Sequence, residues 1–146
     1  MSNTQILNRK AHFNYEIEEE IEAGIMLLGS EVKSVREGKV NITESYVAEM
    51  SGDLVLINCN IGEYKGANRF NHEPKRPRKI LLRKKELEKI IGKMQMKGYS
   101  VIPLKIFFKK NFAKVLIGIG RGKKIYDKRE TIEERDDQRR QARGED

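Results

Sequence analysis

Two periodicities of apolar and polar residues divide this chain. Over Phe13-Asn14-Tyr15-Glu16-Ile17-Glu18 large apolar and polar side chains alternate, which gives a strand one buried face. The apolar stretch Ile21 to Leu28 continues that sheet after a kink, with Gly24 as the position for a bulge. Tyr46 to Met50 and Leu54 to Ile61, separated by Ser51-Gly52-Asp53, predict a hairpin with a glycine-containing turn. Val101 to Phe108 and Phe112 to Ile119 predict a second hairpin across Lys109-Lys110-Asn111. Short strands joined in this way suggest a mainly β fold, a small closed antiparallel barrel without exposed sheet edges.

The helical period occurs twice. Leu28, Val32 and Val35 recur at four- and three-residue spacing, and Gly38 suits the left-handed position after a helix. Leu87, Ile90, Ile91 and Met94 share one face, opposite Lys84, Lys85, Glu88 and Lys89, with Gly98 as the stop. Both stripes read as core packing by short helices flanking the barrel. Residues 68–78 have no apolar period and two prolines, so they predict a basic loop. After Tyr126 the only large hydrophobe is Ile132, too little to dock on a core. The expected organisation is a folded domain over residues 1–120 and a flexible tail over 121–146. The tail carries helix-compatible pairs such as Asp136 and Arg140, so a partner could make it helical.

A length of 146 residues fits one such domain, and 38% hydrophobic against 36% charged residues implies a compact core under a charged surface. The lone cysteine, Cys59, lies in the apolar run from Leu54 and argues against disulfides and a structural zinc site. No apolar run is long enough to span a bilayer, and Met1 to Lys10 contain no apolar signal region. A cytoplasmic monomer without a membrane partner is expected.

Charge changes the picture most. The formal net charge is +8, which favours a polyanionic partner because lysine and arginine displace counterions at phosphates. It is also uneven. Residues 1–31 hold two basic and six acidic side chains, residues 65–89 ten basic and three acidic, and residues 105–124 seven basic and no acidic ones. Lys65, Arg69, Phe70, Lys75, Arg76, Arg78 and Lys79 interleave cations with an aromatic ring, and Lys105, Lys109, Lys110 and Lys114 lie near Phe107, Phe108 and Phe112. Cations on phosphates with an exposed ring on an unpaired base are the means of binding RNA.

Catalytic chemistry finds little support. His12 and His72 are the only imidazoles, and no Gly-x-Ser-x-Gly motif or second cysteine accompanies them. Gly118-Ile119-Gly120-Arg121-Gly122-Lys123-Lys124 lacks the spacing and the following helix of a phosphate loop; it reads as a strand ending in a hinge that launches a tail. The acidic run Glu16 to Glu22 would place Glu16, Glu18, Glu20 and Glu22 on one strand face, solvated or paired with intramolecular cations rather than holding a metal. No catalytic residue, metal or cofactor is expected.

A resemblance then becomes visible. Asn8-Arg9-Lys10-Ala11, Tyr15 to Ile25, Gly29 to Arg36, Gly38 to Ile42, Ser45-Tyr46-Val47, Arg78 to Leu82, Gly98-Tyr99, Lys114 to Lys124 and Tyr126 to Arg129 closely resemble, in order, the small protein B family, the SsrA-binding proteins. The resemblance implies an oligonucleotide-binding (OB-like) barrel that recognises the tRNA-like domain of transfer-messenger RNA and accompanies it to stalled ribosomes. The body would stand in for the missing anticodon arm at the small-subunit decoding region. The tail would lie in the vacant mRNA channel as a helix. It further implies RNA contacts by Glu22, Leu81 and Arg83, with basic help from Lys75, Arg76, Arg78 and Lys79. Gly122, Lys123, Lys124, Asp127, Lys128 and Arg129 would form the ribosome-facing hinge and tail. Arg83 stands where a close relative has Asn, which would exchange a base contact for a phosphate contact. The segment from Arg129 to Asp146 departs from a basic tail, with five basic and seven acidic residues. The residues alone leave open a general single-stranded RNA or ribosomal accessory barrel, and an enzyme acting on RNA.

Overall fold

The structure, a computed structural model, describes residues 4–65 and 71–123. In chain order the elements are β1 (Gln5–Leu7), α1 (Ala11–Asn14), β2 (Tyr15–Ile25), α2 (Gly29–Arg36), β3 (Val40–Asn41), β4 (Tyr46–Met50), β5 (Asp53–Ile57), β6 (Asn60–Ile61), β7 (Arg78–Leu81), α3 (Lys84–Met94), β8 (Tyr99–Lys109) and β9 (Phe112–Gly122). Seven strands form one antiparallel sheet in the order β1-β8-β9-β2-β7-β5-β4, and β3 pairs with β6 apart from it. The fold is mainly β with short flanking helices.

The sheet is not closed, which corrects the expected barrel. β4 and β1 remain edges. β4 comes close to the first half of β8, but no ladder joins them. Asn8 covers a further stretch of the β8 edge: its N–H donates to Leu104 O and its Nδ2 to Pro103 O, both at 2.9 Å. Thr43 to Val47 and Tyr99 to Ile102 then face each other across a groove of about 480 Å³.

Two irregularities decide which side chains face where. In the β2–β9 ladder Ile17 pairs with Gly120 but Glu19 with Ile119, leaving Glu18 as an extra residue. In the β8–β9 ladder Pro103 pairs with Ile117 and Lys105 with Leu116, leaving Leu104 extra. The bulge in β2 therefore sits at Glu18 and not at Gly24. Because ladder partners share a face, Glu19, Ile21, Ala23 and Ile25 follow Ile119, Ile117 and Val115 towards the main core. Tyr15 and Ile17 turn the opposite way, into a second cluster with Ala11, Ile102, Leu104 and Leu116. Glu20 and Glu22 also point outward, whereas Glu16 pairs with Arg121 on the core-side parity, so the four glutamates do not share one face.

The helices lie where their stripes place them, with Gly38 and Gly98 left-handed after α2 and α3. Phe13 belongs to α1 rather than to a strand. Both hairpin turns are two-residue turns, Ser51-Gly52 and Lys110-Asn111, with positive φ at every central residue.

Candidate nucleic-acid interface

The outward face of β8, β9, β2 and β7 is built by simple alternation. Lys105, Phe107 and Lys109 on β8 pair with Leu116, Lys114 and Phe112 on β9. Leu116 and Lys114 pair in turn with Glu22 and Gly24, and Gly24 pairs with Leu81 on β7. A methyl on Gly24 would come within 3.3 Å of Leu81 Cβ, so the glycine lets Leu81 sit close across the β2 backbone.

At the hairpin end of this face lies a groove of about 780 Å³, lined by residues that include Glu22, Leu81, Arg83, Lys109, Lys110, Phe112 and Lys114. The structure thus brings Glu22 to Leu81 and Arg83, which lie far from it in sequence, and adds three lysines and a ring from the β8–β9 hairpin. Glu22 faces Lys109 at 3.6 Å. The neighbouring acids also have cations: Glu18 lies 3.8 Å from Arg121, and Glu19 pairs with Lys89. Among the described residues no three His, Cys, Asp or Glu side chains gather as a metal site.

The remaining expected contacts separate. Lys75 and Lys79 are exposed, and Lys79 Nζ lies 3.7 Å from Asp53. Arg78 has no surface to offer an RNA, contrary to expectation, because it shares the inward parity of Ile80 and is 0% exposed. Its Nε donates to Glu31 Oε2 at 2.6 Å and its Nη1 to Cys59 O at 2.5 Å. Arg76 is partly exposed but engaged, donating from Nη2 to Glu31 Oε1 at 2.6 Å. The completely buried Glu31 thus ties α2 to the end of the loop preceding β7. Burial drives its carboxyl upward, yet the hydrogen bonds from Arg76, the Leu28 N–H and Arg78, with the Arg78 charge, hold it below the ordinary value of 4.5.

Other singled-out groups are structural. His72 is buried, with Nε2 2.8 Å from Ile61 O and Nδ1 2.8 Å from Ser30 Oγ; donation from Nε2 to the carbonyl leaves Nδ1 to accept from the serine. Burial pushes the Cys59 thiol up to about 11. Gly122 pairs with Tyr15, and Lys123 continues that edge by donating its N–H to Asn14 O at 2.8 Å. Arg69, Phe70, Lys124, Asp127, Lys128 and Arg129 lie outside the described residues. Among the described residues no helix is long and apolar enough to cross a membrane.

Comparison with known proteins finds relatives over most of the chain. Residues 5–145 match the family model described as SmpB protein. An SsrA-binding protein of Rickettsia canadensis is 56% identical over 137 residues, 93% of this chain and 90% of the relative. One from Shouchella clausii is 53% identical over 132 residues, 90% of this chain and 85% of the relative. A solved structure described as "tmRNA-SmpB: a journey to the center of the bacterial ribosome" superposes with a TM-score of 0.73 at 44% identity, covering 88% of this chain and 94% of that one.

Proposed function

The chain belongs to the family of SmpB proteins, and we propose that it binds the tRNA-like domain of transfer-messenger RNA and delivers it to stalled ribosomes for trans-translation. The observation that carries this reading is the single groove in which Glu22, Leu81 and Arg83 meet Lys109, Lys110 and Lys114. Cations around a shallow, partly apolar floor suit a folded RNA, whose phosphates are fixed by charge and whose exposed bases are read by contact. Lys75 and Lys79 extend the positive surface. Arg76 and Arg78 support it from behind by anchoring the loop before β7.

In this account the body occupies the place of the missing anticodon arm. The segment from Gly122 through Lys123, Lys124, Asp127, Lys128 and Arg129 turns into the mRNA channel. The division at about residue 120 is supported by the end of β9 at Gly122 and by the fall in apolar content after it. The role is recognition and positioning in the cytoplasm, and it requires no cofactor.

Competition binding tests the reading. Fluorescence anisotropy should show preference for the isolated tRNA-like domain over a single strand of equal length, with affinity falling steeply as salt rises. Equal affinity for the two RNAs would overturn the assignment in favour of a general RNA-binding module. Metal-dependent cleavage of either RNA would replace an adaptor with an enzyme.

A further inference from the structure

We propose that Phe112 is a base-stacking residue of the RNA groove, an inference that rests on the functional reading above. Three phenylalanines surround the β8–β9 hairpin, and the structure gives them different fates. Phe108 faces the core side, with the Arg36 guanidinium 5.2 Å from its ring centre. Phe107 is partly buried, and Lys105 Nζ sits 5.0 Å above it. Phe112 is 70% exposed, the most exposed of the large hydrophobic side chains among the described residues.

Its exposure is fixed by the backbone. Lys110 and Asn111 adopt φ values of 52° and 67°, the left-handed pair of a two-residue hairpin turn that matches strand twist. The turn brings Lys109 and Phe112 together as a ladder pair on the outward face, while the next pair, Phe108 and Ala113, points to the core side. Asn tolerates the left-handed region better than Lys, so the hairpin accepts some local strain to hold this geometry.

The ring lines the same groove as Lys109, Lys110, Lys114 and Arg83. Those cations meet phosphates, leaving the ring to offer a flat apolar surface to a partner that carries both negative charge and aromatic planes. An unpaired nucleobase within a folded RNA meets both requirements. A protein partner would need neither the ring's flatness nor the surrounding positive charge.

The test compares Phe112→Ala, Phe112→Leu and Phe112→Tyr in the full chain, using anisotropy with the tRNA-like domain and thermal unfolding as a check on folding. Loss of stacking should weaken binding by about 5- to 150-fold for both Ala and Leu. Tyr should restore affinity to within about threefold, because the ring is retained. The dependence of affinity on salt should keep its slope in all three, since stacking releases no counterions. Leu binding like the unsubstituted protein would overturn the stacking assignment, as would a slope altered by Leu. If the unsubstituted protein shows no preference for the tRNA-like domain, the functional reading itself fails, and that result precedes any comparison among variants.

Discussion

Glu31 shows how one buried side chain shapes a surface it never reaches. It and Arg78 are completely buried, and Arg76 completes the group. Removing the carboxylate charge leaves the Arg78 guanidinium buried without its counterion, a change that generally costs about 3–5 kcal/mol. Denaturant unfolding of Glu31→Gln should show a loss of that order; a loss below about 1 kcal/mol, typical of exposed pairs, would mean that the group is not buried in solution. The pH dependence has a definite sign. Because the folded carboxyl lies below 4.5, its stabilisation is fully present above that value and disappears as pH falls through the folded pKa. Glu31→Gln should lack this acid-side decline. At this scale, the inward position of Arg78 was legible, since Arg78-Lys79-Ile80-Leu81 alternates and arginine shares the parity of isoleucine. Reading the segment as a run of positive charge concealed that pattern. The partnership with Glu31 was not legible, because it joins residues 47 positions apart through tertiary packing.

Among elements, those with several turns or a tight hairpin could be read directly. α2, α3 and both hairpins follow from period and turn chemistry. The two-residue strands β3 and β6 and the four-residue helix α1 have too few residues to express a period. The bulge at Glu18 was hidden for a specific reason. Tyr15, Ile17 and Ile21 are apolar at odd positions on both sides of it, although the extra residue sends them to opposite faces. Gly120 is what permits that geometry, since a methyl there would overlap the Glu16 carbonyl. Gly120→Ala must shift β2 or β9 and should lower stability by about 1–3 kcal/mol. Calorimetry showing an unchanged Tm would place the bulge elsewhere. The glycines that superficially resembled a phosphate loop are better explained by this close packing of strands than by a ligand.

For the whole molecule, charge pattern suggested an anionic partner, and the open sheet presents the groove proposed to receive it. The sequence located the basic blocks but not the groove, because Glu22, Leu81, Arg83 and the β8–β9 hairpin meet only through the ladder order β8-β9-β2-β7. The sheet stays open where Tyr99 to Ile102 of β8 face β4 with no ladder between them; β1 and Asn8, a segment without a strand signature in the sequence, cover only the stretch of β8 from Pro103 to Phe107. The central claim is that this outward face, and not the basic loop alone, holds the tRNA-like domain. Nuclease footprinting of transfer-messenger RNA tests it most directly, with the unsubstituted chain and with Lys109, Lys110 and Lys114 replaced together by alanine. The account predicts protection confined to the tRNA-like domain, lost at equal protein concentration in the triple variant. Undiminished protection by that variant, or a footprint elsewhere on the RNA, would contradict it.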